Sequence, residues 1–198
     1  GLSPNLAIGA ARYFGINTVD KAFITNQLYG GLDAQALDFI WGHNHDYTQT
    51  SSTDALLNKT VAGFLRSSQL SYAQLLELFQ LEFVNAGTTT IIERPFQSCD
   101  VQHQIIKGDL TLVKFTNITQ FLSLWRSTPW EMWELDLLLK SGKIGNGVIN
   151  NNTLTKLHKF HQLQKDLNLS VEALLPFYEP LDTTARRDAN NKAILPFY

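Results

Sequence analysis

The sequence predicts an all-α fold: an irregular multi-helix bundle with long polar loops and at most one short strand. Three observations lead there. Apolar residues recur at steps of three and four over most of the chain. Helix-start signals stand in front of those runs. Only one stretch, 88–92, is β-branched throughout, as a strand would be.

The elements follow in order. Ser3 with Pro4 opens a first helix, because proline is tolerated at the first helical position, and Gly15 ends it. A short helix from Thr18 to about Thr25 and another from Asp33 to Trp41 come next. Residues 42–53, rich in Gly, Asn, Ser and Thr, read as a loop. Asp54 caps a helix that reaches about Arg66. Ser71 and Gln74 then form a capping box, in which hydroxyl and amide satisfy each other's backbone donors. The helix behind it carries Leu75, Leu76, Leu78, Phe79 and Phe83 and ends at Asn85-Ala86-Gly87. The strand candidate 88–92 stops at Glu93-Arg94-Pro95 and finds no partner in the chain.

Asp109 caps a long helix to Ser127, with Leu112, Phe115, Ile118, Phe121, Leu122 and Trp125 on its inward face. Thr128 and Glu131, with Pro129 between them, restart a helix that runs to about Lys140 and ends at Gly142. Residues 141–152 read as a Gly/Asn loop. From Thr153 to Leu167, one face carries Leu154, Leu157, Phe160, Leu163 and Leu167. Ser170 opens a last short helix that Pro176 disturbs. The string Leu70-Ser71-x3-Leu75-Leu76 returns as Leu169-Ser170-x3-Leu174-Leu175, but two copies of a common helix start do not establish a repeat period.

The 198 residues fit a single α-helical domain over 1–198, with a possible subdivision into N-terminal helices (1–53) and the remainder (54–198). An apolar fraction of 44% excludes a disordered tail. The net charge of -2, with Lys and Arg scattered, excludes the basic footprint of a nucleic-acid partner. The single cysteine, Cys99, excludes an internal disulfide and a multi-cysteine zinc site. No stretch approaches the roughly 18 apolar residues of a membrane span, and the first residues lack the basic and apolar regions of a signal peptide. Both ends read as cut from a longer chain. The first residue is Gly1, and residues 193–198 stop on an apolar cluster.

Few residues suggest chemistry. His43, His45 and Asp46 bring two imidazoles and a carboxylate together, yet a metal centre needs a further ligand and outer-shell partners. The competing reading is a solvated polar loop. His158 and His161 would supply half of a bundle metal site, but no Glu-x-x-His string accompanies them. The favoured reading is two exposed histidines beside a buried Phe160. Cys99 with His103 would make a nucleophile and base, although Asp100 disfavours the thiolate; a small buried thiol is the alternative. Phe121, Trp125, Trp130 and Trp133 would make a stacking platform for a sugar, whereas aromatics at helical spacing build a core. Sequons at Asn58, Asn117, Asn151 and Asn168 are expected by chance in so Asn- and Thr-rich a chain. No dinucleotide, P-loop, nucleophile-elbow or zincin string occurs. The residues therefore point to a non-catalytic helical domain with no catalytic, cofactor-binding or metal-binding residue and no cofactor.

Two segments carry a resemblance. Leu70-Ser71-Tyr72-x-x-Leu75-x-Glu77-Leu78, followed by Phe83-Val84-Asn85, resembles a signature of the A subunits of bacterial Tc toxins, the tripartite insecticidal toxin complexes. Cys99-Asp100, then Phe121-Leu122-Ser123-Leu124-Trp125-Arg126, then Trp130-x-x-Trp133-Glu134-Leu135-Asp136, is similar to a second stretch of that family. Leu169-Ser170-Val171-Glu172-Ala173-Leu174-Leu175 and Pro180-Leu181-Asp182-Thr183 continue it, and Leu195-Pro196-Phe197-Tyr198 ends just inside a further motif. The likeness covers about residues 60–198 and extends to the plasmid virulence A proteins. Thr119 and Ser123 depart from it, standing where the family tends to have Arg, and Thr128-Pro129 replaces a usual Leu-Gly. The resemblance implies a segment of the α-helical shell of a large, secreted, pentameric subunit. Such a subunit binds the host cell surface, forms a pore and translocates an enzyme held by the B and C components. It implies contact with the membrane only through other parts of the parent chain, and no catalytic residues. A free-standing helical module that binds a host ligand or protein is the alternative.

Overall fold

The computed structural model describes residues 4–27, 31–41, 60–85, 91–93, 104–108, 111–178, 186–187 and 193–194. The fold is all-α. Helix α1 (Pro4–Tyr13) stops at Gly15, whose φ of +73° is the left-handed turn that only glycine takes without strain. In α2 (Thr18–Ile24), Asn17 caps by accepting from Asp20 N at 2.8 Å. In α3 (Ala34–Trp41), Asp33 accepts from Ala36 N at 2.8 Å.

Helix α4 (Val61–Ser68) begins at Thr60, whose hydroxyl accepts from Gly63 N. The expected cap at Asp54 lies outside the described residues, and the observed start is later. Thr60 supplies both the hydroxyl acceptor and the extended backbone that a cap requires. Helix α5 (Tyr72–Leu78) carries the predicted Ser71–Gln74 capping box, with bonds of 2.9 and 3.2 Å. The helix expected to run on to Asn85 instead breaks at Phe79–Leu81 and restarts as α6 (Glu82–Asn85).

The single unpaired strand of the sequence reading is corrected. Strand β1 (Ile91–Glu93) pairs antiparallel with β2 (Ile105–Lys107), placing Ile92 opposite Ile106. A second pair, β3 (Arg186–Arg187) with β4 (Ala193–Ile194), is shorter still. The β-branched run 88–92 marks β1, whereas β2, β3 and β4, of two or three residues, are too short to show an alternating pattern.

Helix α7 (Leu112–Ser127) starts from Thr111 rather than from Asp109, which lies outside the described residues. Helix α8 (Met132–Lys140) starts from Glu131 rather than Thr128, and Glu131 N donates to Glu134 Oε2 at 2.9 Å. Helix α9 (Asn151–Leu167) is capped by Asn150, whose side chain accepts from Asn152 N and Thr153 N. It starts two residues before the expected Thr153 because that bidentate cap seizes both amides. Helix α10 (Val171–Leu174) follows Ser170, and Pro176 turns its end into a 3-10 turn, Leu175–Phe177.

Helix α7 is the hub. It contacts α2, α3 and α6; α8 contacts α5 and α6; and α1 lies along α9. Phe115, Ile118, Phe121 and Leu124 of α7 are fully buried, as are Leu135, Leu138 and Leu139 of α8. Trp41 of α3 sits edge-on to Phe115, and its indole N–H donates to Thr119 Oγ1 at 3.0 Å. Thr119, 4% exposed, thus serves the core. Helices on both sides of residue 53 share one hydrophobic cluster.

The aromatic group is only partly core. Phe121, Leu135 and Trp130 are buried, whereas Trp125 and Trp133 are half-buried. Trp133 was expected inside. It falls on the first turn of α8, one residue off the stripe formed by Met132, Leu135 and Leu139.

Candidate functional site: a carboxylate-capped helix junction and a histidine–aromatic seam

Two polar constellations stand out against the apolar interior. The first joins α5, α6 and α8. Asp136 of α8 is fully buried, and its two oxygens accept from the backbone of α6: Oδ1 from Phe83 N at 2.8 Å and Oδ2 from Glu82 N at 3.1 Å. In a continuous helix those amides would donate to carbonyls four residues back. The carboxylate captures them instead, and this is why the chain breaks after Leu78 although no local breaker stands there. Glu77 of α5, 4% exposed, returns the favour by accepting from Trp133 N at 3.1 Å, in the first turn of α8. Each carboxylate meets the positive end of a neighbouring helix, where its charge is favoured.

Further polar side chains of the same region tie backbone to backbone. Asn85 Nδ2 donates to Phe79 O, and Lys114 Nζ, buried on α7, donates to Asn85 Oδ1 at 3.0 Å. Arg126 donates to Ser68 O at the end of α4, and burial lowers its pKa. Tyr72 Oη donates to Gln104 Oε1 at 2.8 Å, while Gln104 O accepts from Val61 N. On the outside, Lys140 and Glu82 form an exposed ion pair at 2.8 Å.

The second constellation lies between α1 and α9. The Tyr13 ring stands 4.3 Å from the His158 ring, and its hydroxyl shares a hydrogen bond with His161 Nδ1 at 3.0 Å, the donor being set by the imidazole tautomer. His161 stacks on Phe14 at 6.0 Å and meets Trp130 edge-on at 5.5 Å. Trp130 is held in turn by its indole N–H, which donates to Gln164 Oε1 at 3.0 Å. Lys165 Nζ sits 5.8 Å from the Tyr13 ring centre. Burial, reinforced by nearby lysines, lowers the pKa of both imidazoles.

Beside this seam, the α1–α2 elbow holds an open cleft of about 350 Å³, floored by Ala11 and Ile16 and lined also by Arg12 and Lys21.

The candidates from sequence distribute unevenly over these features. His158 and His161 are half-buried partners of aromatic rings rather than two exposed histidines, because Tyr13 and Phe14 arrive from the far end of the chain. Among the described residues, no group of three or more His, Cys, Asp or Glu is placed to hold a metal ion. His43, His45, Asp46, Cys99 and His103 lie outside the described residues. Among the described residues, no helix is long and apolar enough to cross a membrane. The buried pair Glu77 and Asp136 escaped the sequence reading. The available signal was an acidic residue inside an otherwise apolar helical face, as in Leu75-Leu76-Glu77-Leu78 and Leu135-Asp136-Leu137. Comparison of the chain with protein-family models, with curated proteins and with solved structures returns no match.

Proposed function

We propose that this chain is a non-catalytic scaffold segment, part of the α-helical shell of a Tc-toxin-like A subunit. One observation carries the reading. Four polar residues of the family-like strings, Glu77, Asn85, Arg126 and Asp136, bond to the backbone or side chains of neighbouring helices. Side chains that an enzyme would aim into a cleft here fix the angles between helices. A shell segment needs that rigidity, since its work is to hold shape while other parts bind, open and deliver. On this reading the parent subunit is secreted, assembles as a pentamer, meets B and C components and binds a host cell surface. Its membrane contact comes from elsewhere in the parent chain.

The test is the native length of the polypeptide, read by immunoblot of producing cells with antibody raised to this chain. The reading expects a band several times larger than 22.3 kDa. A band at that mass overturns it and leaves a free-standing ligand- or protein-binding module, for which the cleft at Arg12 and Lys21 is the first place to look.

A further inference from the structure

We propose that Asn146 is a latent modification site: its side-chain amide is lost by spontaneous deamidation only when the turn between α8 and α9 opens, so the modified residue records that opening. The proposal goes beyond the shell reading and does not depend on it.

Asn146-Gly147 is the one Asn-Gly pair in the chain, and both residues are exposed. Asparagine is labile in that setting because glycine has no side chain to hinder ring closure. The amide nitrogen of Gly147 attacks Asn146 Cγ and gives its proton to solvent base. The N–Cγ bond forms, the Cγ–Nδ2 bond breaks, and the leaving nitrogen takes a proton from water and departs as ammonia. Water then opens the cyclic imide at either carbonyl, leaving aspartate or isoaspartate. Water is the only co-reactant.

The folded turn holds this reaction off. Asn146 (φ +52°) and Gly147 (φ +72°) are both left-handed, and Gly145 O accepts from Val148 N at 3.2 Å, as in a type I′ turn. In left-handed backbone the Gly147 nitrogen lies almost opposite Cβ of Asn146, whereas ring closure needs the two eclipsed. The Gly147 N–H also donates to Leu139 O at 2.9 Å, which pins the nitrogen and keeps its proton. The turn is tied down around it. Asn146 N donates to Ser141 O at 2.7 Å and Gly145 N to Leu138 O at 3.1 Å, and Ile144 and Ile149 on either side are buried. Gly145 lies so close to Leu139 that an added Cβ would stand 2.2 Å from its carbonyl oxygen.

The two products then differ. Aspartate keeps the backbone and leaves the turn intact. Isoaspartate inserts a methylene into the main chain, which the Gly147–Leu139 bond and the close approach of Gly145 do not accommodate, so it holds the α8–α9 connection open.

Peptide mapping by mass spectrometry tests this on the unaltered chain, incubated at neutral pH both folded and in concentrated urea. Trypsin cuts after Lys143 and Lys156, so the 144–156 peptide reports Asn146 beside Asn150, Asn151 and Asn152. The expected result is deamidation at Asn146 at least about tenfold slower in the folded chain. As urea is raised through the unfolding transition, that rate should climb by the same factor as exchange of the Gly147 amide hydrogen, since both need the same opening. Equal rates in the folded and unfolded chains overturn the proposal, as does deamidation that stays flat while Gly147 exchange rises. The isoaspartyl chain, separated by ion exchange, should exchange its Gly147 amide at least about tenfold faster than the parent, with Asn146→Asp unchanged. Parent-like protection in the isoaspartyl chain refutes the opened connection.

Discussion

Replacing Asp136 with alanine removes the acceptor of two α6 amides at once. Phe83 N is buried, and Glu82 N is partly so. Each amide left without a partner costs about 1–3 kcal/mol, at the upper end where the lost bond was to a charge. Removing a buried carboxylate also relieves its own desolvation, which offsets part of that sum. The net expectation for Asp136→Ala is about 3–4 kcal/mol, a large share of the roughly 5–15 kcal/mol that holds an ordinary domain together. Asp136→Asn retains one acceptor and sets an N–H against the other amide, so about half that loss is expected. Urea unfolding followed by tryptophan fluorescence measures both. Asp166→Ala on the exposed end of α9 is the control and should stay within about 0.5 kcal/mol. A loss under about 1 kcal/mol for Asp136→Ala would refute the claim that this carboxylate shapes the α5–α6 break.

Three further outcomes are expected. Gly145→Ala should destabilise by about 3 kcal/mol or more, because its Cβ would stand 2.2 Å from Leu139 O, where backbone cannot yield; thermal melts within a degree of the parent would contradict this. Trp130→Ala should cost about 3–5 kcal/mol, with Trp133→Ala clearly less, since only the first indole is buried and hydrogen-bonded; denaturant midpoints in the reverse order would contradict the placement of both rings. Burial raises the pKa of Glu134, so its ionised form weakens the fold at neutral pH and the penalty fades as pH falls to the ordinary 4.5 and below. Glu134→Gln should accordingly raise the melting midpoint at pH 7 while matching the parent in acid, and a lower midpoint at pH 7 would show the charge to be stabilising.

How far the sequence carried the fold depends on where each element takes its signal. Asn17, Asp33, Ser71 and Ser170 cap the helices that follow them, so those starts were legible within a few residues. The left-handed stop at Gly15 was legible for the same reason. The break between α5 and α6 was not, because its cause lies in Asp136, some fifty residues away and visible only after packing. The pairing of Ile92 with Ile106 was hidden likewise: the β-branched run 88–92 announced the first strand, but its partner is three residues long and carries no such run. The same separation explains the candidate site. His158 and His161 were noticed as a pair, but their surroundings come from Tyr13, 148 residues before His161. Side chains that act within one turn are readable in a line of letters. Those that act across the core are read only from the fold.

The central claim is that this chain stiffens a larger, symmetric shell. Negative-stain imaging of the particle captured from producing cells with antibody to this chain tests it most directly. The account predicts fivefold class averages of an assembly far larger than 22.3 kDa. Particles of a single small chain, or a larger assembly without fivefold symmetry, would contradict it.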